Sequence, residues 1–113
     1  MKLLIVGSRD ITDIDISKYI PEDVELIISG GAAGVDTLAE KYADEHRISK
    51  LILRPNYRFF GKGAPIKRNR AMVDLADSVL VFWNGHSKGT KSTIDYAVRS
   101  QKEIKVITSE TAS

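Results

Sequence analysis

Val24-Glu25-Leu26-Ile27-Ile28-Ser29-Gly30-Gly31-Ala32-Ala33-Gly34-Val35-Asp36 runs from an apolar stretch, through a glycine-rich turn, into a helical pattern. The apolar residues are consecutive rather than alternating, which marks a parallel strand covered on both faces. Behind the turn, Val35, Leu38, Ala39, Tyr42, Ala43 and His46 recur at i, i+3, i+4, i+7, i+8 and i+11. That spacing predicts one continuous buried stripe on a helix. Strand, glycine turn and helix together form the repeating unit of an α/β fold, so the rest of the chain is read for further copies of it.

Further apolar runs stand at Lys2–Val6, Lys50–Leu53, Ser78–Trp83 and Ile104–Thr108, with Val24–Ile28 as the second strand in chain order. Helical patterns fill the intervals. One covers Asp13–Ile20, with Thr12 as N-cap and Pro21 as its stop. Another starts near Pro65, a residue favoured at the first helical position, and runs to Ala76. A last one covers Thr90–Ser100, with Ile94, Ala97 and Val98 turned inward. Parallel neighbours need right-handed helical crossovers, so the prediction is a single domain over residues 1–113. Its build is a three-layer, Rossmann-like α/β sandwich around a five-stranded parallel sheet of order 3-2-1-4-5. Such an order places a switch point beside strand one, and a ligand crevice opens at the carboxyl ends of strands one and four. Those ends carry Gly7-Ser8-Arg9 and Gly85–Thr90. The last residues, Ser109–Ser113, read as a frayed tail.

Composition narrows the function classes. With 42% apolar and 28% charged residues, the 113-residue chain has the balance of a globular domain able to bury a core. Cysteine is absent, which excludes disulfides, thiolate chemistry and cysteine-based metal sites. The longest apolar runs, Leu3–Val6 and Val79–Trp83, fall far short of the roughly 20 residues that span a bilayer. No signal peptide is evident, and a cytoplasmic protein without a membrane partner is expected. Net charge is only +2, too little to argue for nucleic acid by itself. Its distribution is uneven: Arg54, Arg58, Lys62, Lys67, Arg68 and Arg70 occur with no acid among them, whereas Asp10–Glu25 is mostly acidic.

Three loops carry residues suited to chemistry. Ser29, Gly30, Gly31, Gly34 and Asp36 surround the start of the best helix, where unpaired amides and the positive dipole end favour an anion. The spacing is not the dinucleotide fingerprint Gly-x-Gly-x-x-Gly, and a tight turn with close helix packing is the competing reading. Asn84–Ser92 resembles a P-loop by eye, but Thr90 stands where that motif requires glycine. There Ser87, Gly89 and Thr90 offer hydroxyls and amides to a phosphate, and Ser87 also suits a helix cap. The third loop brings Tyr57, Phe59, Phe60, Gly61 and Gly63 before Ile66-Lys67-Arg68-Asn69-Arg70. Tyr57, Phe60 and Trp83 are base-stacking candidates, against the alternative that the loop aromatics merely pin the loop down. Arg68 and Arg70 are two residues apart and cannot share a helix face, so one of them at most reaches the crevice. His46 is expected to be structural, His86 has no second ligand nearby, and no metal site or hydrolase triad is assigned.

Taken in order, Gly7-Ser8-Arg9, Ser29-Gly30-Gly31-Ala32-x-Gly34-Val35-Asp36, Gly61-Lys62-x-Ala64-x-x-x-Arg68-Asn69-x-x-Met72 and Ser87-x-Gly89-Thr90 resemble the SLOG superfamily. The branch they look most like is that of the short YspA-type domains of unknown function. The resemblance implies a Rossmann-like fold, a nucleotide or nucleotide-derived ligand at the glycine-rich loops, and a homodimer. No cofactor beyond that ligand is called for. Within the superfamily, the Lonely-guy phosphoribohydrolases use an arginine, matched here by Arg68, and a glutamate three residues after a Gly-Thr. That position holds Thr93 here, and Asp95, the nearest acid, lies two residues late. The reading is therefore a binding module that senses or sequesters a nucleotide. Arg9 and Arg68 would add charge-assisted contacts, Asn69 would stand beside them, and Asp36 would meet a ribose hydroxyl or cap its helix. One alternative is an N-glycosidic hydrolase or transferase acting on nucleoside monophosphates or NAD-type compounds through Asp36 or Asp95, with Arg68. The other is a single-stranded DNA module on the Arg54–Arg70 run, since DprA-like DNA-processing relatives share the implied fold.

Overall fold

The computed structural model describes residues 1–108, so the predicted frayed tail lies outside the described residues. Five strands, β1 (Lys2–Gly7), β2 (Leu26–Ser29), β3 (Ser49–Ile52), β4 (Ser78–Trp83) and β5 (Glu103–Thr108), form one parallel sheet. Its order is β3-β2-β1-β4-β5, as expected. Helices α1 (Val35–Glu45), α2 (Tyr57–Phe60), α3 (Ala64–Leu75) and α4 (Lys88–Arg99) lie in the connections. No helix among the described residues is long and apolar enough to cross a membrane.

Consecutive apolar residues divide between two cores because successive side chains of a strand point to opposite faces. Leu3 and Ile5 join Ile27, Leu80 and Phe82 beneath Val35, Ala39 and Ala43 of α1. Leu4 and Val6 join Ile28, Val79 and Val81 beneath Met72 and Val73 of α3 and Ala97 of α4. The edge strands are less covered: Leu51 in β3 and Val106 in β5 are each 38% exposed. At the foot of the sheet, Lys102 Nζ donates to Ala76 O (2.8 Å) and Asp74 O (3.4 Å), satisfying carbonyls at the end of α3.

Several local expectations need correction. The helix expected over Asp13–Ile20 shrinks to a single 3₁₀ turn, Ile16–Tyr19, because the carboxylate of Asp15 accepts the amide of Ser17 and starts the turn late. Ile16 and Ile20 are buried, and Ile14 and Tyr19 pack partly against the same core. Thr12 is therefore not the cap. His46 is exposed at the end of α1 instead of continuing the buried stripe; its ring stacks on Tyr42 with centroids 4.0 Å apart. Val98 is 58% exposed, so α4 buries Thr90, Thr93 and Ala97 rather than the stripe through Val98. Tyr57–Phe60 forms a short helix where a loop was expected, with the Asn56 side chain accepting from Phe59 N at 3.1 Å.

Candidate functional site

A cavity of about 350 Å³ opens at the carboxyl ends of β1 and β4, the predicted switch point. This is the size range of small-molecule sites. One wall is the end of β1 and its loop, from Val6 to Asp10. A second is α3, through Pro65, Arg68, Asn69 and Met72. The third is Asn84 with the start of α4, through Ser87, Gly89, Thr90 and Thr93, and Ala32 and Asp36 complete the lining.

The two predicted phosphate loops differ in what they leave open. In the β2–α1 loop, Ala32 N donates to Asp36 Oδ2 at 3.0 Å, so the anion slot at the start of α1 holds the protein's own carboxylate. Ser29, Gly30, Gly31 and Gly34 do not line the cavity. They support it from behind. The Gly30 carbonyl accepts Arg68 Nη1 at 2.7 Å, and the Gly31 carbonyl accepts Arg54 Nη1 at 3.2 Å. Gly34 sits at φ 75°, ψ −124°, where a side chain at this position would meet the Arg9 carbonyl at 2.5 Å. The competing sequence reading, tight packing, is thus what these glycines do.

The start of α4 is different. Ser87 caps it, its hydroxyl accepting from Thr90 N at 3.4 Å, and no acid occupies the first turn. The amides of Lys88 and Gly89 find no acceptor among the described residues. Nothing lies within 4 Å of where a side chain at Gly89 would begin. An oriented helix end with open amides on a cavity is an anion-binding geometry.

Arg68 is the most constrained cation of the site. Its Nη1 also donates to Leu53 O (3.0 Å) and its Nε to Asn69 Oδ1 (2.8 Å), while Nη2 has no partner among the described residues. Desolvation pulls its pKa below the ordinary arginine value, against the opposing charge of Asp36. Asp36, only 6% exposed, is pushed above the ordinary carboxylate value by burial, against the Ala32 amide and the Arg68 charge. Arg9 lines the cavity with no hydrogen bond or ion pair among the described residues. Arg70 leaves the site and stands over the Tyr96 ring, 5.3 Å from its centroid, so one arginine of the pair reaches the crevice.

The remaining candidates are not brought together. Asp95 is on the outer face of α4, paired with Lys91 at 2.8 Å, away from the cavity. Tyr57 and Phe60 are 57% and 44% exposed and do not line it. Trp83 packs on the α3/α4 core and donates through Nε1 to Ser87 O at 3.1 Å. Conversely, the sequence reading passed over Asp10 and Asn84. Asn84 Nδ2 donates to both Asp10 oxygens (3.0 and 3.2 Å), and Asn84 Oδ1 accepts from His86 N (2.8 Å) and Ser87 N (2.9 Å). An Asn two residues before a second loop residue is an Asx-turn signal, which was available in the sequence. Thr93, at the glutamate position of the hydrolases, is buried and donates to Gly89 O at 3.1 Å. Among the described residues, no group of three or more histidines or acids is placed to hold a metal.

No family model, curated protein or solved structure matches the chain.

Proposed function

We propose that the chain binds a nucleotide or nucleotide-derived ligand in the β1/β4 crevice, as a sensing or sequestering module. The observation that carries this reading is the convergence of the open α4 N-terminus, Arg9 and the free Nη2 of Arg68 on one cavity at the switch point. Gly89 and the Ser87 and Thr90 hydroxyls take the phosphate, and the two arginines add charge-assisted contacts. Asp36, an acceptor beside Arg68, takes a ribose hydroxyl or an amino group of the base. Binding therefore draws on the α4 loop more than on the β2–α1 glycines.

The test is a thermal-shift screen over nucleotides, since a ligand bound only by the native state raises the melting temperature. Nucleotides that raise Tm in the wild type and fail to do so in Arg68→Ala support the reading. A flat response across the panel sinks it. The hydrolase alternative has one observation in its favour, a buried Asp36 carboxyl held above its ordinary pKa inside the cavity. It requires release of free base, abolished in Asp36→Ala.

A further inference from the structure

We propose that Asn84 is a positioning residue that clasps the β1 and β4 loops into one unit, so that ordering one wall of the cavity orders the other. The two loops are 74 residues apart in sequence, and adjacent parallel strands alone would align their ends without fixing the loops beyond them. Asn84 bridges that gap through its backbone amide and its side-chain NH2, while its side-chain oxygen orders its own loop. Its backbone amide donates to Ser8 Oγ (3.0 Å), and Ser8 is 1% exposed. Its Nδ2 holds the Asp10 carboxylate by both oxygens (3.0 and 3.2 Å). Its Oδ1 folds the chain back through the amides of His86 (2.8 Å) and Ser87 (2.9 Å), which places Ser87 as the cap of α4. An amide side chain has two donors and one acceptor oxygen, and here both kinds are engaged on opposite loops. Aspartate at this position keeps the acceptor but loses the donors and sets one carboxylate against another.

The clasp therefore couples Arg9 and Asp10 on one loop to Ser87, Gly89 and Thr90 on the other. A ligand that orders either loop favours the ordered form of its neighbour, and the effect is reciprocal. This ligand-linked half rests on the nucleotide reading; the clasp in the free protein does not.

Amide hydrogen exchange resolves the two. In the free protein, Asp10→Ala, a change at an exposed residue, is expected to speed exchange at His86 and Ser87 at least about fivefold, the loss of roughly one net hydrogen bond. Asn84→Asp is expected to speed exchange at Ile11, whose amide is held by Ser8 O. Combining Asn84→Asp with Asp10→Asn reverses donor and acceptor and should return both loops to within about twofold of wild type. Unchanged His86 and Ser87 exchange in Asp10→Ala overturns the clasp, as does a double variant no better protected than Asn84→Asp. If Asn84→Asp does not fold, the Asp10→Ala comparison decides alone. With adenosine 5′-monophosphate as probe, slower exchange at Ile11 as well as at Thr90 is expected in the wild type, and at Thr90 alone in Asp10→Ala. Protection confined to Thr90 in the wild type overturns the coupling. A probe that does not bind wild type counts against the nucleotide reading, while exchange in the free protein still decides the clasp.

Discussion

Nη1 of Arg68 lies 2.7 Å from the carbonyl oxygen of Gly30, in the volume that a side chain at residue 30 would need. A methyl group there would stand 2.6 Å from Nη1 and 3.0 Å from Asp36 Oδ2. The arginine is thus positioned by a missing atom. Gly30→Ala is expected to push the guanidinium off the Gly30 and Leu53 carbonyls at modest cost in Tm, because the far end of a long side chain gives way. Nucleotide affinity should fall about tenfold or more, which is a loss near 1.4 kcal/mol. Arg68→Lys should lose as much, since an ammonium cannot hold two carbonyls and still present a fork. Titration calorimetry of both variants checks this; full affinity in Gly30→Ala would remove Arg68 from the site.

Gly34 and Gly89 should respond oppositely to alanine. At Gly34, positive φ and overlap with the Arg9 carbonyl predict a loss of about 3 kcal/mol or more in denaturant unfolding. At Gly89, with open space around it, stability should stay within about 0.5 kcal/mol of wild type while the added methyl reduces ligand binding.

Asp36 makes a prediction in pH. Its pKa is raised in the folded chain, so the native state holds a proton that the unfolded chain has already released. The resulting loss of stability sets in as pH rises through the ordinary carboxylate value of about 3.8 and is complete above the raised folded value. Asp36→Asn should therefore melt a few degrees above wild type near neutrality. The advantage should shrink as the pH falls toward that ordinary value. Melting curves across this range check the sign, and a variant less stable than wild type at neutrality would contradict it.

Ser87→Ala removes the hydroxyl that accepts from Thr90 N and should cost about 1 kcal/mol in stability. Asp95→Ala breaks only an exposed pair and should change stability by no more than about 0.5 kcal/mol. It should also leave any ligand affinity or base release untouched. A loss of activity on changing Asp95 would reopen it as a catalytic carboxylate.

The sheet was legible because its three central strands are near-continuous apolar runs, separated by helical patterns that supply parallel crossovers. The edge strands β3 and β5 are mixed with polar residues. The switch point followed from strand order. Ile14 and Ile16, by contrast, alternate with Asp13 and Asp15, and the Asp15 carboxylate that takes the amide of Ser17, two residues on, defeats the helical spacing. In the site, the sequence pointed to Ser87, Gly89 and Thr90 by chemistry and position, and to Arg68 rather than Arg70 only through the family resemblance. It could not tell whether the space beside a glycine is filled by ligand or by another residue, and at Gly30 and Gly31 arginines fill it. The Asn84–Asp10 contact joins two ordinary loop residues far apart in the chain, so neither reveals the other in advance.

Trp83 is the only tryptophan, and its indole N–H is bonded to the carbonyl of the residue that caps α4. Any rearrangement of that turn changes the polarity around the ring, and with it the wavelength and intensity at which the ring emits. The protein thus carries its own optical gauge on the turn that starts α4, one hydrogen bond away from a cavity-lining residue, and unlabelled wild type can be titrated by fluorescence.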